Sequence, residues 1–141
     1  MSPVPARWVD TREGLGAPKR PVAPARPIEI PVTGRQLNVG GKLVTIPADA
    51  EAVSLNIVSV DASTGGFATV WPCGTARPTT SNLNYPGRNA VANNVIATIG
   101  AGGSVCLYTH SDSHVVVDVT GWFTRGEAYS CLLYTSDAAD E

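Results

Sequence analysis

The sequence has few of the side chains that most often carry enzymatic chemistry. Its 141 residues include only two histidines, both in the segment His110-Ser111-Asp112-Ser113-His114, and its three cysteines form no CxxC pair. A hydrolytic triad needs a histidine held between a nucleophile and an orienting group, whereas serine and aspartate also serve hairpin turns. We interpret the segment as a turn, with a small metal or catalytic cluster as the alternative. We therefore predict no catalytic residue, no metal site and no cofactor, and expect a protein that is not an enzyme.

The sequence also lacks a long apolar run and a strong excess of one charge. No stretch is long enough to span a bilayer, and the opening Ser-Pro-Val-Pro-Ala-Arg lacks the apolar segment of a secretory signal. Prolines separate the basic residues among the first 26 positions, unlike a basic stripe matched to phosphates. We predict no membrane span and no nucleic-acid partner, and expect any export signal to lie upstream of Met1.

Residues 131–141 do not continue the pattern of the preceding sequence. They can be written with codons that resemble a transposon adapter from sequencing libraries, so we interpret them as a non-native tail on a truncated gene. The alternative is a natural acidic tail. Without the tail, ten basic residues face nine acidic ones instead of twelve, and the net charge changes from −2 to +1.

Cys73 and Cys106 remain once Cys131 is set aside with the tail. An even count without a CxxC pair favours a disulfide and an oxidising compartment. The alternative is a pair of buried, reduced cysteines.

The remaining residues, about 130, are enough for one domain. Glycine and proline are frequent, at 14 and 11 positions, which is typical of short strands joined by turns. We predict an all-β fold, an antiparallel β-sandwich or barrel-like sandwich, over residues 3–123, with a linker at 124–130. Strands are expected at 28–32, 52–60, 67–71, 93–99, 104–109 and 114–123, with a loop at 13–26.

Strand periodicity places several carboxamides outside the core. Val53, Leu55 and Ile57 share one face of their strand, so Asn56 lies on the other. Asparagine is a poor strand former. We predict a structural network in which such side chains bond the backbone where ladders break, with solvated loop positions as the alternative; its asparagines are Asn56, Asn82, Asn84 and Asn93.

Asp118 is a carboxylate within a run of valines. Buried there, it would need a paired or hydrogen-bonded partner. The candidates are Arg12 and Arg7, and we expect Arg12, which would lay the N-terminal segment, with Asp10, beside the last strand. The alternatives are a carboxylate facing water on an edge strand and a calcium site formed with Asp10 and carboxamide oxygens.

Six segments in this order, together with the cysteine pair, resemble a repeat domain of secreted actinobacterial proteins. They are Pro5-x-Arg7 with Asp10-Thr11-Arg12, Ala52-Val53-Ser54-Leu55-Asn56, the stretch from Gly66 to Gly74, Ser81-Asn82-Leu83-Asn84, Ala92-Asn93 and Asp118-Val119-x-Gly121-Trp122-Phe123. Such domains occur singly or in tandem beside peptidases, cell-wall amidases or other hydrolases, and in phage tail-associated proteins. The resemblance covers Pro3 to Phe123. It implies a non-catalytic accessory domain, extracellular or at the cell surface, or alternatively in a virion, with covalently linked neighbouring domains.

Aromatic rings offer the best binding hypothesis. Trp8, Tyr85 and Tyr108 are candidate ligand contacts, because flat rings with polar edges suit a cell-wall polysaccharide or other glycan. The rival hypothesis is a purely structural spacer or interaction module. A groove that exposes two or more rings beside carboxamides would favour binding, and burial of the rings would favour the spacer.

Overall fold

The fold is all-β. The computed structural model describes residues 6–124 and 130–131, and these residues contain eleven strands and no helix. The strands are β1 (Ala6–Asp10), β2 (Ile28–Pro31), β3 (Gln36–Val39), β4 (Lys42–Thr45), β5 (Ala50–Val60), β6 (Gly66–Pro72), β7 (Leu83–Tyr85), β8 (Val91–Thr98), β9 (Ser104–Thr109), β10 (His114–Thr124) and β11 (Ser130–Cys131). No helix of the described residues is long and apolar enough to cross a membrane.

Two antiparallel sheets form the predicted sandwich. The first sheet has the order β1-β10-β5-β8, with β11 beside β10, and the second has the order β2-β9-β6-β7. The chain passes repeatedly from one sheet to the other, so that most neighbouring strands are distant in sequence. A separate hairpin pairs β3 with β4, around the glycine pair Gly40-Gly41.

The core lies between the two sheets. Val53, Leu55 and Ile57 are fully buried, as their spacing predicted, and they belong to one cluster with Val105 and Leu107 of the second sheet. Full burial of such aliphatic side chains stabilises by about 1.5–3 kcal/mol each. Residues that alternate with them form the outer face of each sheet, the face opposite the core.

The strand β1 lies beside β10, which confirms the expected position of the N-terminal segment. Ala6 and Arg7 pair with Val119 and Asp118, and the register then shifts between Arg7 and Val9. Trp8 has no partner on β10 because it occupies this bulge. Both Trp8 and Val9 are buried as a result.

The disulfide joins Cys73, directly after β6, to Cys106 in β9, with a Cα–Cα distance of 5.2 Å. Cys106 pairs with Trp71, and both alternate with core residues, so the disulfide lies on the outer face of the second sheet. It closes a sequence separation of 33 residues.

The short strand β11 differs from the expectation that residues after about Gly126 pack against nothing. Ser130 and Cys131 pair with Trp122 and Gly121 of β10. That expectation is wrong for the backbone of these two residues, because the described pairing of β1 with β10 ends at Ala6 and Val119, and Gly121 and Trp122 lie beyond it. The other residues of the predicted linker and tail, 125–129 and 132–141, lie outside the described residues.

Candidate functional site

Four charged side chains form one network on the outer face of the first sheet. Arg12 donates from Nε and Nη2 to the two carboxylate oxygens of Asp10, at 2.9 and 2.8 Å. Arg7 Nε donates to Asp118 Oδ1 at 3.1 Å, and its Nη1 lies 3.8 Å from Asp10 Oδ2. Two cations and two anions therefore neutralise each other.

The partner of Asp118 is Arg7, so the expected pairing with Arg12 is wrong. Arg7 stands directly opposite Asp118 in the strand register. Arg12 is already held by Asp10 through a two-pronged contact, the geometry for which a guanidinium is best suited. Asp118 is buried, but on the outer face and not among the core valines, because it alternates with Val117 and Val119.

The network changes the acid–base properties of Asp10. The hydrogen bond from the Arg12 side chain is the largest influence and lowers the pKa of Asp10, while desolvation acts in the opposite direction. The same contact raises the pKa of Arg12. Asp10 is therefore ionised at neutral pH.

Thr11 fixes this turn to the last strand. Its backbone NH donates to Val115 O at 3.1 Å, and its hydroxyl oxygen accepts from Val115 NH at 3.0 Å. The hydroxyl also lies 2.9 Å from His114 Nδ1. Thr11 is fully buried, so the Asp10-Thr11-Arg12 segment is a structural joint in which every member bonds within the domain.

Asn56 lies in the same row of the sheet as this network. The register places Asp118 between Arg7 and Asn56, with Asn94 beyond it on the edge strand. The Asn56 side chain makes no hydrogen bond with any of the residues that the structure describes. Asn56 is thus adjacent to the charged network and not bonded into it.

A second polar network joins the edge of the first sheet at β8 to the edge of the second sheet at β7. Asn82 Oδ1 accepts from Val70 NH at 2.8 Å, which continues the β6–β7 ladder beyond its last backbone pair. Asn93 Nδ2 donates to Asn82 O at 2.7 Å, from the edge of the first sheet to the second. Asn82 and Asn93 therefore do bond backbone where ladders end, whereas Asn84 only accepts from the Ser81 hydroxyl.

The three candidate ligand rings are buried. Trp8, Tyr85 and Tyr108 expose 1, 3 and 8% of their surface. Tyr85 OH donates to Ser111 O at 3.0 Å. The Arg77 guanidinium covers the Tyr108 ring at 3.6 Å from its centroid. The structure brings none of these rings together in an open groove, and Trp71 and Trp122 are half-buried.

The outer face of the second sheet carries an aromatic group in which sequence reasoning named Tyr108 but not the stacked pair of Phe67 and His110. Phe67 stacks on His110 with centroids 4.9 Å apart, and it contacts Tyr108 at 6.2 Å. Phe67 and Trp71 lie four residues apart on one face of β6, and Tyr108 and His110 lie two residues apart, from the end of β9 into the turn. These even spacings are the signal that could have identified the group.

The two histidines of the predicted turn lie on different sheets. His110 stacks on Phe67, whereas His114 begins β10 and contacts Thr11. Ser111 bonds the Tyr85 hydroxyl at 3.1 Å. Residues 6–124 contain no group of three metal-binding side chains of the histidine, cysteine or acidic type. The calcium alternative used the carboxylates of Asp10 and Asp118, and in the structure both are paired with guanidinium groups.

Comparisons with known proteins give no match for this chain, whether with protein families, curated proteins or solved structures.

Proposed function

We propose that this chain is a non-catalytic accessory module of a larger protein outside the cytoplasm, and that it acts as a rigid spacer or interaction module beside other domains. One observation carries the proposal. The polar residues that resemble the repeat-domain pattern are engaged in bonds between strands of the module itself, as Thr11, Asp118 and Asn82 illustrate. Residues held in this way maintain a shape and leave few groups for a reaction.

The disulfide supports the location. Disulfides persist in oxidising compartments such as the exterior of the cell, and small domains there often rely on them. The bond between Cys73 and Cys106 fits an extracellular, cell-surface or virion protein.

Glycan binding is a second candidate, favoured by the aromatic group on the second sheet. Phe67 and Trp71 are half-buried and His110 is exposed, with the exposed carboxamide of Asn84 opposite Phe67. Rings beside polar groups can stack on sugar faces. The burial of Trp8, Tyr85 and Tyr108 moves this hypothesis away from the rings first chosen for it.

Sedimentation with insoluble peptidoglycan, and separately with chitin, separates the two functions. A spacer remains in the supernatant, as does its Phe67→Ala variant. Binding by the wild type that is lost in Phe67→Ala and retained in Ile96→Ala would overturn the spacer proposal in favour of glycan binding. Ile96 is the matched control because it is an exposed apolar residue on the first sheet.

A further inference from the structure

A groove of about 580 Å³ lies between β1 and the β3–β4 hairpin. Its walls include Arg7 and Trp8 from β1, Leu15 from the following loop, and Arg35 and Gln36 at the start of the hairpin. The groove therefore combines two guanidinium groups and a carboxamide with apolar surface. None of these residues belongs to the aromatic group of the second sheet.

Arg35 differs from every other arginine of residues 6–124. The others are exposed, whereas Arg35 is half-buried. Arg7, Arg12 and Arg88 each lie within 4 Å of a carboxylate, and the described residues supply no acidic partner to Arg35. Burial lowers the pKa of Arg35, because a cation removed from water loses hydration. A partly desolvated cation without a counterion is unfavourable unless something else compensates for it.

The contacts that hold Arg35 do not neutralise it. Its guanidinium lies 4.8 Å from the centroid of the Trp8 ring, and its Nη2 donates to Trp8 O in a long bond of 3.4 Å. Arg7, on the same groove, is balanced by Asp118 and Asp10. The positive charge of Arg35 is thus the excess charge beside a locally neutral network.

The indole beneath Arg35 carries a polar group of its own. Trp8 Nε1 is buried and has no hydrogen-bond partner in the described part of the chain. Because that nitrogen is enclosed, Arg35 is the group on this wall that a ligand in the groove would meet.

We propose that this groove binds an oxyanion, a carboxylate or phosphate group on a larger ligand, and that Arg35 is the residue that holds it. A guanidinium offers a planar fork that fits either group with two parallel hydrogen bonds. The ring of Trp8 keeps that fork in place, which reduces the entropy lost on binding. Leu15 and Leu37, both on the groove, provide apolar support for the carbon frame next to the anion.

The test measures binding to the full chain at constant ionic strength, so that general screening is held fixed. Glucuronate and glycerol 3-phosphate are titrated against the protein, with glucose and glycerol as neutral counterparts, and tryptophan fluorescence and calorimetry are recorded. We expect saturable binding of at least one anion and none of either neutral compound. A response to glucuronate alone assigns a carboxylate ligand, and one to glycerol 3-phosphate alone assigns a phosphate ligand. Equal binding of the neutral compounds, or no saturable binding at all, would overturn the proposal.

Two variants test the position of the site. Arg35→Gln should raise the dissociation constant at least tenfold. Arg20→Gln, which removes an exposed charge elsewhere, should leave it unchanged. Arg35 also packs on Trp8, so Arg35→Gln could change the fold as well as the binding site. Gln36→Glu is therefore a second variant, which adds a negative charge at an exposed groove position without touching the core. It should weaken binding as well, and Thr98→Glu on the distant edge strand should not. Wild-type affinity in Gln36→Glu would show that the anion binds elsewhere.

Discussion

The strands of the two sheets are joined on their outer faces by different kinds of contact. On the first sheet, ion pairs and a buried threonine join the N-terminal segment to β10 across more than one hundred residues of sequence. On the second sheet, a covalent bond and stacked rings perform the same task. The first face should respond to pH and to loss of single polar atoms, and the second to reduction.

The largest effect is expected from the disulfide. In a Cys131→Ser background, replacing Cys73 and Cys106 together with alanine should lower the free energy of unfolding by about 3–4 kcal/mol, because the unfolded chain regains the freedom of a loop of this length. Urea denaturation at neutral pH measures the change. A midpoint that matches the parent would mean that the disulfide contributes nothing to the second face.

Thr11→Val should be next in size. Valine keeps the shape of threonine but removes the oxygen that accepts from Val115 NH, so a buried donor loses its partner at a cost of about 1–3 kcal/mol. Denaturant melts compare it with Thr45→Val, an exposed position where the change should stay within about 0.5 kcal/mol. An equal loss of unfolding free energy in the two variants would show that the Thr11 hydroxyl does not stabilise the contact between the N-terminal segment and β10.

Asp118→Ala should cost about 1–2 kcal/mol, which lies between values for exposed and buried pairs. The Arg7 side chain is half exposed, so after loss of its partner it can turn to water. Arg88→Ala, which breaks an exposed pair with Asp61, should cost under about 1 kcal/mol. Melts with and without calcium should coincide for the wild type. A calcium-dependent rise that Asp118→Ala abolishes would establish the calcium alternative and contradict the ion-pair assignment.

The smallest effect is the pH dependence of Asp10. Because Arg12 lowers the pKa of Asp10 below its usual value of 3.8, the ion pair contributes its full stabilisation above about pH 3.8. The contribution is lost as the pH falls through the lowered pKa of the folded state. The difference in unfolding free energy between the wild type and Asp10→Asn should be constant from pH 5 to 7 and shrink below pH 3.8. A difference that grows on acidification would contradict the sign of the shift.

The strongest sequence predictions concern the long strands of both sheets and the disulfide, and β9 lies at the predicted residues 104–109. The alternation around Leu55 and the valine run around Asp118 each indicate a strand with one face turned to the core. The strands β5 and β10 were therefore located to within a few residues. The even cysteine count identified the correct pair once Cys131 was set aside. These signals are local, or depend on counting alone.

Two of the failures depend on register between distant segments. Arg7 and Arg12 are equally plausible partners of Asp118 in sequence, and only the alignment of β1 against β10 with its bulge decides between them. The same bulge buries Trp8, which the sequence offered as a ligand contact. The strands β3, β4 and β7 are three or four residues long and too short to show an alternating pattern of their own.

The pairing of β1 with β10 also bears on how the chain must fold as it is made. Arg7 and Asp118 are 111 residues apart in sequence, and a ribosome adds roughly 5–20 residues per second. The first strand therefore waits roughly 6–22 s for its partner, with its apolar residues uncovered. Pairings over such distances are slow to form even in a complete chain. A chaperone that shields Trp8 and Val9 during this interval, or export in an unfolded state, would suit the topology better than folding in step with synthesis.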